Sequence, residues 1–236
     1  MGVPPVASAR THASPWLLLA LLACALPSQR ARALDGYVTL ASSHQWRGVS
    51  LSDGPTMMLG AEQALAHDWA IGAWGAGVDR AWPFGVAKGK LLAGAYLARD
   101  WRCGEHCSGR MTLSRYLHPG SAPGGWSELA VSARWRERIG FNLAHGRSDD
   151  SGRSSRNIEL FAEQPLGASW TGALLLGHTD YAGFGYRHAE LELRRPLGRW
   201  QLSLGAWHGE TAPPVGADRQ RGRVFVALSR GFGGRR

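Results

Sequence analysis

Arg223-Val-Phe-Val-Ala-Leu-Ser-Arg-Gly-Phe232, close to the C-terminus, alternates its side chains. Val224, Val226, Leu228 and Phe232 fall on one face, and Arg223, Ala227 and Ser229 on the other, because successive strand side chains point to opposite sides. A strand that is apolar on one side and small or polar on the other suits a wall between lipid and water. With an aromatic residue at its end, it has the form of the closing strand of a bacterial outer-membrane β-barrel.

The same period-2 alternation, broken by turn signals, recurs upstream. It predicts an all-β, antiparallel up-and-down barrel of about twelve strands. The spans are 36–48, 55–65, 68–79, 87–101, 108–117, 125–136, 138–147, 155–164, 168–179, 185–195, 199–209 and 222–232. An even count leaves both ends on the periplasmic side, with short inner turns alternating with longer outer loops. Ala66-His67, Glu137, Pro165-Leu-Gly167 and Pro196-Leu-Gly198 are the tight connections. The long ones are rich in Pro, Gly, Ser and charge, as in His118–Gly124, Ser148–Ser154 and Glu210–Arg221. The fourth connection, with Cys103 and Cys107, is an exception to the alternation.

Tryptophan is abundant at 11 residues, and its placement supports the barrel. Trp69, Trp135, Trp170 and Trp200 sit beside predicted inner turns, with Trp101 and Phe232 at the same end. An indole sets its apolar body in lipid and its N–H among headgroups, so barrels carry aromatic girdles at that depth. Trp46, Trp82, Trp126 and Tyr186 are expected to form the opposite girdle. A soluble β-sandwich has no reason to collect tryptophans at its turns.

At 236 residues the chain holds one or two domains, and no apolar run reaches the 18 residues of a membrane helix. Trp16–Leu26 is shorter and follows Arg10; the small-x-small sites are Ala23-Cys24-Ala25 at its end and Ala31-Arg32-Ala33 beyond it. Residues 1–33 read as a cleaved export signal ahead of a barrel domain at 34–236, with cleavage after Ala25 as an alternative. Leu21-Leu22-Ala23-Cys24 also resembles a lipobox, with Cys24 as the lipidated residue. Removing residues 1–33 leaves 24 basic against 18 acidic residues, a net of +6. Basic and aromatic residues do not interleave on one surface, which argues against nucleic acid.

The strand faces opposite the apolar ones supply the pore-lining candidates: Glu128, Arg134 and Arg136, then Glu159, then Glu190, Glu192 and Arg194. Ser132, Asn157, Glu163 and His188 share those faces. Opposite charges around one narrow interior can pair into a partial plug or line an aqueous path.

Gly36–Ser50 resembles the opening of the TorF-type porin family, conserved outer-membrane barrels of proteobacteria. The family shows an aromatic residue, Arg-Gly, an aliphatic residue and Ser, matched by Trp46, Arg47, Gly48, Val49 and Ser50. Pro55 and Gly60 match later family positions, and Gly72–Asp79 is similar to its third strand through Trp74, Val78 and Asp79. Ser43-His44 departs from the family's Asp-Tyr, and Gly233–Arg236 extends past its terminal Phe. The resemblance covers residues 36–79 and the closing strand. It implies an outer-membrane barrel and a pore.

Independently of the family, Gly48 relaxes the backbone at a hairpin tip. Arg47 then anchors the loop to a carboxylate such as Asp53 or Asp79, or else forms a pore-mouth cation. Cys103-Gly-Glu-His-Cys107 reads as a small disulfide loop. Free thiols are one alternative; a metal site of Cys103, His106 and Cys107 lacks a fourth ligand, so no metal is expected. Asp149 and Asp150 lack the remaining positions of a calcium loop. No catalytic residues, cofactor or enzymatic activity are expected: His44, Ser132, Asn142, His145 and His178 stand in no nucleophile motif.

The function expected is passive diffusion of small polar solutes or ions across the outer membrane. The net of +6 leads to a slight anion preference. A non-conducting barrel serving as a structural or surface module is the alternative, with a lipid-modifying barrel enzyme behind it. The expected partners are outer-membrane lipid, the barrel-assembly machinery and the solute, and a homo-oligomer is compatible with the sequence.

Overall fold

The computed structural model describes residues 34–52, 54–78, 90–119, 125–149, 151–210 and 222–233. The predicted export signal, Cys24, Trp82 and Asp150 lie outside them. Among the described residues the strands are β1 (Leu34–Ala41), β2 (Gln45–Trp46), β3 (Val49–Ser50), β4 (Thr56–Ala64) and β5 (Trp69–Gly77). They continue with β6 (Leu91–Arg102), β7 (Cys107–Leu117), β8 (Gly125–Trp135), β9 (Ile139–Ser148) and β10 (Ser154–Leu166). The last are β11 (Trp170–Tyr181), β12 (Phe184–Leu197), β13 (Trp200–Gly209) and β14 (Arg223–Phe232).

β1 and β4 through β14 close into one antiparallel barrel, each paired with its neighbours in sequence and β1 with both β4 and β14. Closure runs from Gly36 opposite Phe232 to Ala41 opposite Ala227. Across that seam the Thr39 and Ser229 hydroxyls hydrogen-bond at 2.9 Å on the interior face. Closing the sheet leaves no free edge, which is what lets strands cross lipid with their backbone groups satisfied.

The outer face is apolar, as alternation requires. Leu113, Leu129, Ile158, Leu160, Leu191 and Val224 are all exposed, Val224 to 81%. At one end β-strands are joined by tight turns. Arg136 and Glu137 take left-handed φ values of 50° and 55°, and the Arg138 N–H donates to the Trp135 carbonyl at 3.0 Å, closing a tight turn between β8 and β9. Residues 103–106 are also a four-residue turn, so the expected exception disappears. Cys103 and Cys107 are joined by a disulfide with Cα atoms 4.9 Å apart. The Cys103 N–H donates to the Cys107 carbonyl at 2.9 Å, completing the turn.

Three of the tryptophans at this end stack with cross-strand arginines. Trp69 lies opposite Arg99, with the guanidinium carbon 5.6 Å from the ring centroid. Arg195 lies 5.5 Å over Trp170, and Arg230 5.6 Å over Trp200. Each pair joins neighbouring strands on the outward face, where an indole and a cation both suit the headgroup zone.

The first strand departs from expectation. The alternation predicts 36–48, but β1 stops at Ala41 and the chain turns inward. Residues 45–50 form the separate β2–β3 hairpin, with Gln45 opposite Ser50 and Trp46 opposite Val49. Its turn is Arg47-Gly48, with φ of 50° and 72°; both are left-handed, as a two-residue turn of this type demands. A glycine takes this at no cost, but an arginine does not, so the hairpin's contacts must hold Arg47 there.

Candidate functional site

The hairpin lies inside the barrel and bridges its walls. The Arg47 guanidinium donates to both carboxylate oxygens of Glu128 on β8, at 2.7 and 2.9 Å. The two side chains are 6% and 3% exposed, so this ion pair is dry. The Tyr116 hydroxyl on β7 donates to the same carboxylate at 3.2 Å. On the far side, a Cβ added to Gly48 would collide with His188 on β12, and one added to Gly209 on β13 would collide with the Gly48 carbonyl. Only glycine at both places lets the hairpin tip lie this close to the wall.

An aromatic cluster packs the hairpin's flank. Leu51, Val78, Leu92, Tyr116, Trp126 and Tyr181 are buried together, with Trp46 and Trp74 against them. The Trp46 and Tyr116 rings meet edge-on at 5.1 Å. This corrects the expected outer girdle. Trp126 shares strand parity with Glu128, and Tyr186 with His188, so both point inward; they are 4% and 3% exposed. Trp46 is carried in by the hairpin. The likeness of these rings to a lipid girdle was only in their height along the barrel.

Arg47 therefore anchors to Glu128, while Asp53 and Asp79, the carboxylates expected near it, lie outside the described residues. Glu128 sits on the interior face, where its charge is spent on the hairpin. Beside it, Asn142 donates to Glu159 at 2.9 Å, and the His188 Nε2 is 3.8 Å from the other Glu159 oxygen. Thr179 donates to the Asn157 carbonyl oxygen at 2.6 Å.

Nearer the tight-turn end the interior is wetter. Arg194 bonds Glu192 at 2.7 Å and Glu163 at 3.1 Å, and Arg134 lies 3.6 Å from the same Glu163. Arg134 is 43% exposed there, against 6% for Arg47, so solvent reaches this wall and not the hairpin's anchor. Glu190 lies on the same strand face as Glu192 and Arg194. Arg136 stands apart, in the turn beyond β8.

A second charged group faces these from β4, β6 and β7 and is absent from the sequence-based set. The Glu62 carboxylate accepts from Tyr96 at 2.7 Å and from Arg110 at 2.5 Å, and Arg110 lies 3.6 Å from Asp100. Strand parity marks Arg110, which shares a face with Ser108, Thr112 and Ser114 and alternates with Met111 and Leu113. It gives less warning of Glu62, set in an otherwise apolar strand.

Ser132 and Asn142 face the interior, whereas His145 and His178 lie on the lipid side of the wall. The wall itself separates those candidates for nucleophilic chemistry. Among the described residues, the interior face away from the strand ends carries Glu62, Asp100, Glu128, Glu159, Glu163, Glu190 and Glu192 against Arg47, Arg110, Arg134 and Arg194. Asp35, Arg102 and Arg223 face inward at the strand ends, which leaves eight acidic against six basic groups, opposite in sign to the overall charge.

A closed antiparallel barrel of twelve wall strands is a fold shared with bacterial outer-membrane porins. The fold is similar to that of the KdgM porin, with a TM-score of 0.55 at 8% identity over 84% of this chain and 99% of that one. It is likewise similar to the COG4313 outer membrane channel from Pseudomonas putida F1, at 0.52 and 14% identity over 89% and 97%. The NanC porin gives 0.51 and 9% over 83% and 97%. No known family profile matches the chain, and no curated protein does.

Proposed function

We propose that this protein is an outer-membrane channel, delivered by the signal at residues 1–33, in which the inward-folded β2–β3 hairpin sets the narrowest point. Small polar solutes or ions diffuse passively through it. The observation that carries this reading is the contrast within one lumen. A dry, latched hairpin narrows the outer half, and a solvated, charged wall lines the inner half. Fixed charges in a low-dielectric wall are the ordinary means by which a pore sorts ions.

The interior excess of carboxylates supports a mild preference for cations, in place of the anion preference suggested by net charge. The KdgM porin also has a structure in complex with disordered oligogalacturonate, an acidic polymer. Seven interior carboxylates, from Glu62 to Glu192, argue against such a polyanion here. The motif Trp46–Ser50 keeps the TorF-type family as the proposed kinship, and its Arg-Gly pair is the hairpin tip.

A second reading has an observation of its own: the Arg47–Glu128 pair and the aromatic cluster seal the outer half, leaving a surface or structural module. Single-channel recording of the refolded barrel in a planar bilayer separates the two. Discrete small steps are expected, growing when the hairpin latch is removed. Folded barrels silent with and without the latch would overturn the channel and leave the sealed module.

A further inference from the structure

The lipid-facing side of β9–β12 ends, at the rim away from the tight turns, in a patch of exposed basic side chains. His145 and Arg147 follow Leu143 outward on β9, and Arg156 precedes Ile158 on β10. His178 follows Leu176 on β11, and Arg187 precedes Ala189 on β12. Register brings them together: His145 lies opposite Arg156, and His178 opposite Arg187. All five are exposed. The charge therefore begins on the rung where the apolar band stops, and on its outward side. Nothing passing through the pore meets it.

Its counter-charges are few. Asp180 lies opposite Arg156, and the Glu210 carboxylate accepts the Arg187 backbone N–H at 3.0 Å. Nearby Asp149 is taken by Arg115. At the opposite rim, outward arginines are stacked on indoles: Arg99 on Trp69, Arg195 on Trp170 and Arg230 on Trp200. Among the described residues, the side chains of Arg147, Arg156 and Arg187 have neither a carboxylate nor a ring. Three guanidiniums on β9, β10 and β12, within one four-strand stretch of the wall and each able to bind phosphate oxygens in a bidentate fork, are suited to a phosphorylated partner. That partner must also lie against Leu143, Ile158 and Leu176, so it carries acyl chains.

We infer that this patch is a binding site for the phosphate groups of a phosphorylated glycolipid in the outer leaflet. The acyl chains lie along the leucine band, and the phosphates sit between Arg147, Arg156 and Arg187. A basic cluster at a membrane edge gains affinity with each cation it presents to anionic headgroups. The inference rests on the membrane placement and orientation of the barrel and not on conduction, so a silent barrel leaves it intact.

The test is native mass spectrometry of the refolded barrel in non-ionic detergent. It is titrated with diphosphoryl lipid A, with the monophosphoryl form, and with dioleoylphosphatidylcholine. Tight binding of the diphosphoryl lipid is expected, weakened about ten-fold or more in the Arg147→Gln/Arg156→Gln/Arg187→Gln variant. The monophosphoryl lipid should fall between, and the zwitterionic lipid should not respond to the variant. Arg99→Gln/Arg195→Gln/Arg230→Gln, at the other rim, should leave diphosphoryl binding unchanged. Equal loss in both triple variants, or binding indifferent to phosphate number, overturns the inference. Arg156→Gln alone, with heat-modifiable electrophoretic mobility as the check on folding, serves if a triple variant does not fold.

Discussion

Arg47 and Glu128 stand 81 residues apart in sequence and form a two-pronged ion pair inside the barrel, at 2.7 and 2.9 Å. It is the contact that ties the hairpin to the wall. Losing one partner leaves the other charge buried and unpaired, which costs about 3–5 kcal/mol. In Arg47→Met or Glu128→Gln the undocked hairpin should gain about two to four orders of magnitude in population. Time spent in the larger conductance state in planar bilayers measures it. Arg47→Met/Glu128→Leu should recover much of the docking, since an apolar pair can replace a buried ionic one. Unchanged recordings in both single variants would remove the latch from the account.

Gly48 and Gly209 make the corresponding contact on the opposite wall. A side chain at either fills the space the other occupies, and at Gly48 it also meets a left-handed φ of 72°. Gly209→Val should therefore push the hairpin tip off β12 and β13 without touching the barrel's exterior. The expected result is a larger unitary conductance with unaltered heat-modifiable mobility. A Gly209→Val channel of wild-type size would mean the hairpin does not narrow the path.

Much of this was legible in the chain because alternation survives in every wall strand. The faces of β14, β10 and β12 follow from parity alone, and Leu191 and Glu192 separate as written. The hairpin was not legible. Gln45–Ser50 continues the period of β1, so a local pattern cannot tell a longer strand from one that folds inward. Arg47 takes a partner from β8, and no spacing near residue 47 announces it. Trp126 is a different case: its parity with Glu128 already placed it inside, but its depth matched that of a girdle. Glu62 was hidden because Met58 and Gly60, on its own face, give β4 no other charge to mark the interior side.

Glu163 is shared by Arg134 and Arg194, at 3.6 and 3.1 Å, so it neutralises two cations at once. Wild-type reversal potentials in a salt gradient should show mild cation selectivity. Glu163→Gln should move them toward anions by freeing Arg134 and leaving Arg194 to Glu192 alone, and Arg194→Glu should move them the other way. Glu163→Gln and Arg194→Glu shifting in the same direction would exclude these residues from the conducting wall.

The stacked pairs at the inner rim give a stability prediction. An exposed cation over an indole contributes about 0.5–1 kcal/mol. A double-mutant cycle on Trp200 and Arg230, using Trp200→Leu and Arg230→Gln, should return a coupling of that size in urea unfolding from liposomes. Trp170 with Arg195 should behave alike. A coupling indistinguishable from zero at both sites would reduce the pairs to neighbours that share a depth in the bilayer.

His44 makes the hairpin sensitive to acid. Its carbonyl accepts the Leu51 N–H at 2.7 Å, and its own N–H donates to the Ser52 hydroxyl at 2.7 Å, so it closes the base of the hairpin loop. Burial lowers the imidazole from its usual 6.5 to about 4, although a hydrogen bond with the Gly77 backbone pulls the other way. With the docked value below the free one, an undocked loop takes up the proton first. The docked hairpin keeps its full stability above about pH 6.5 and loses it progressively as pH falls toward 4. Lowering the pH on the outer side from 7 to about 4.5 should therefore lengthen the larger conductance state in wild type. His188 and Glu159 also lie near the hairpin tip, so His44→Gln is the control: it should flatten the response. A wild-type channel indifferent to pH, or a response that persists in His44→Gln, would take His44 out of the hairpin's energetics.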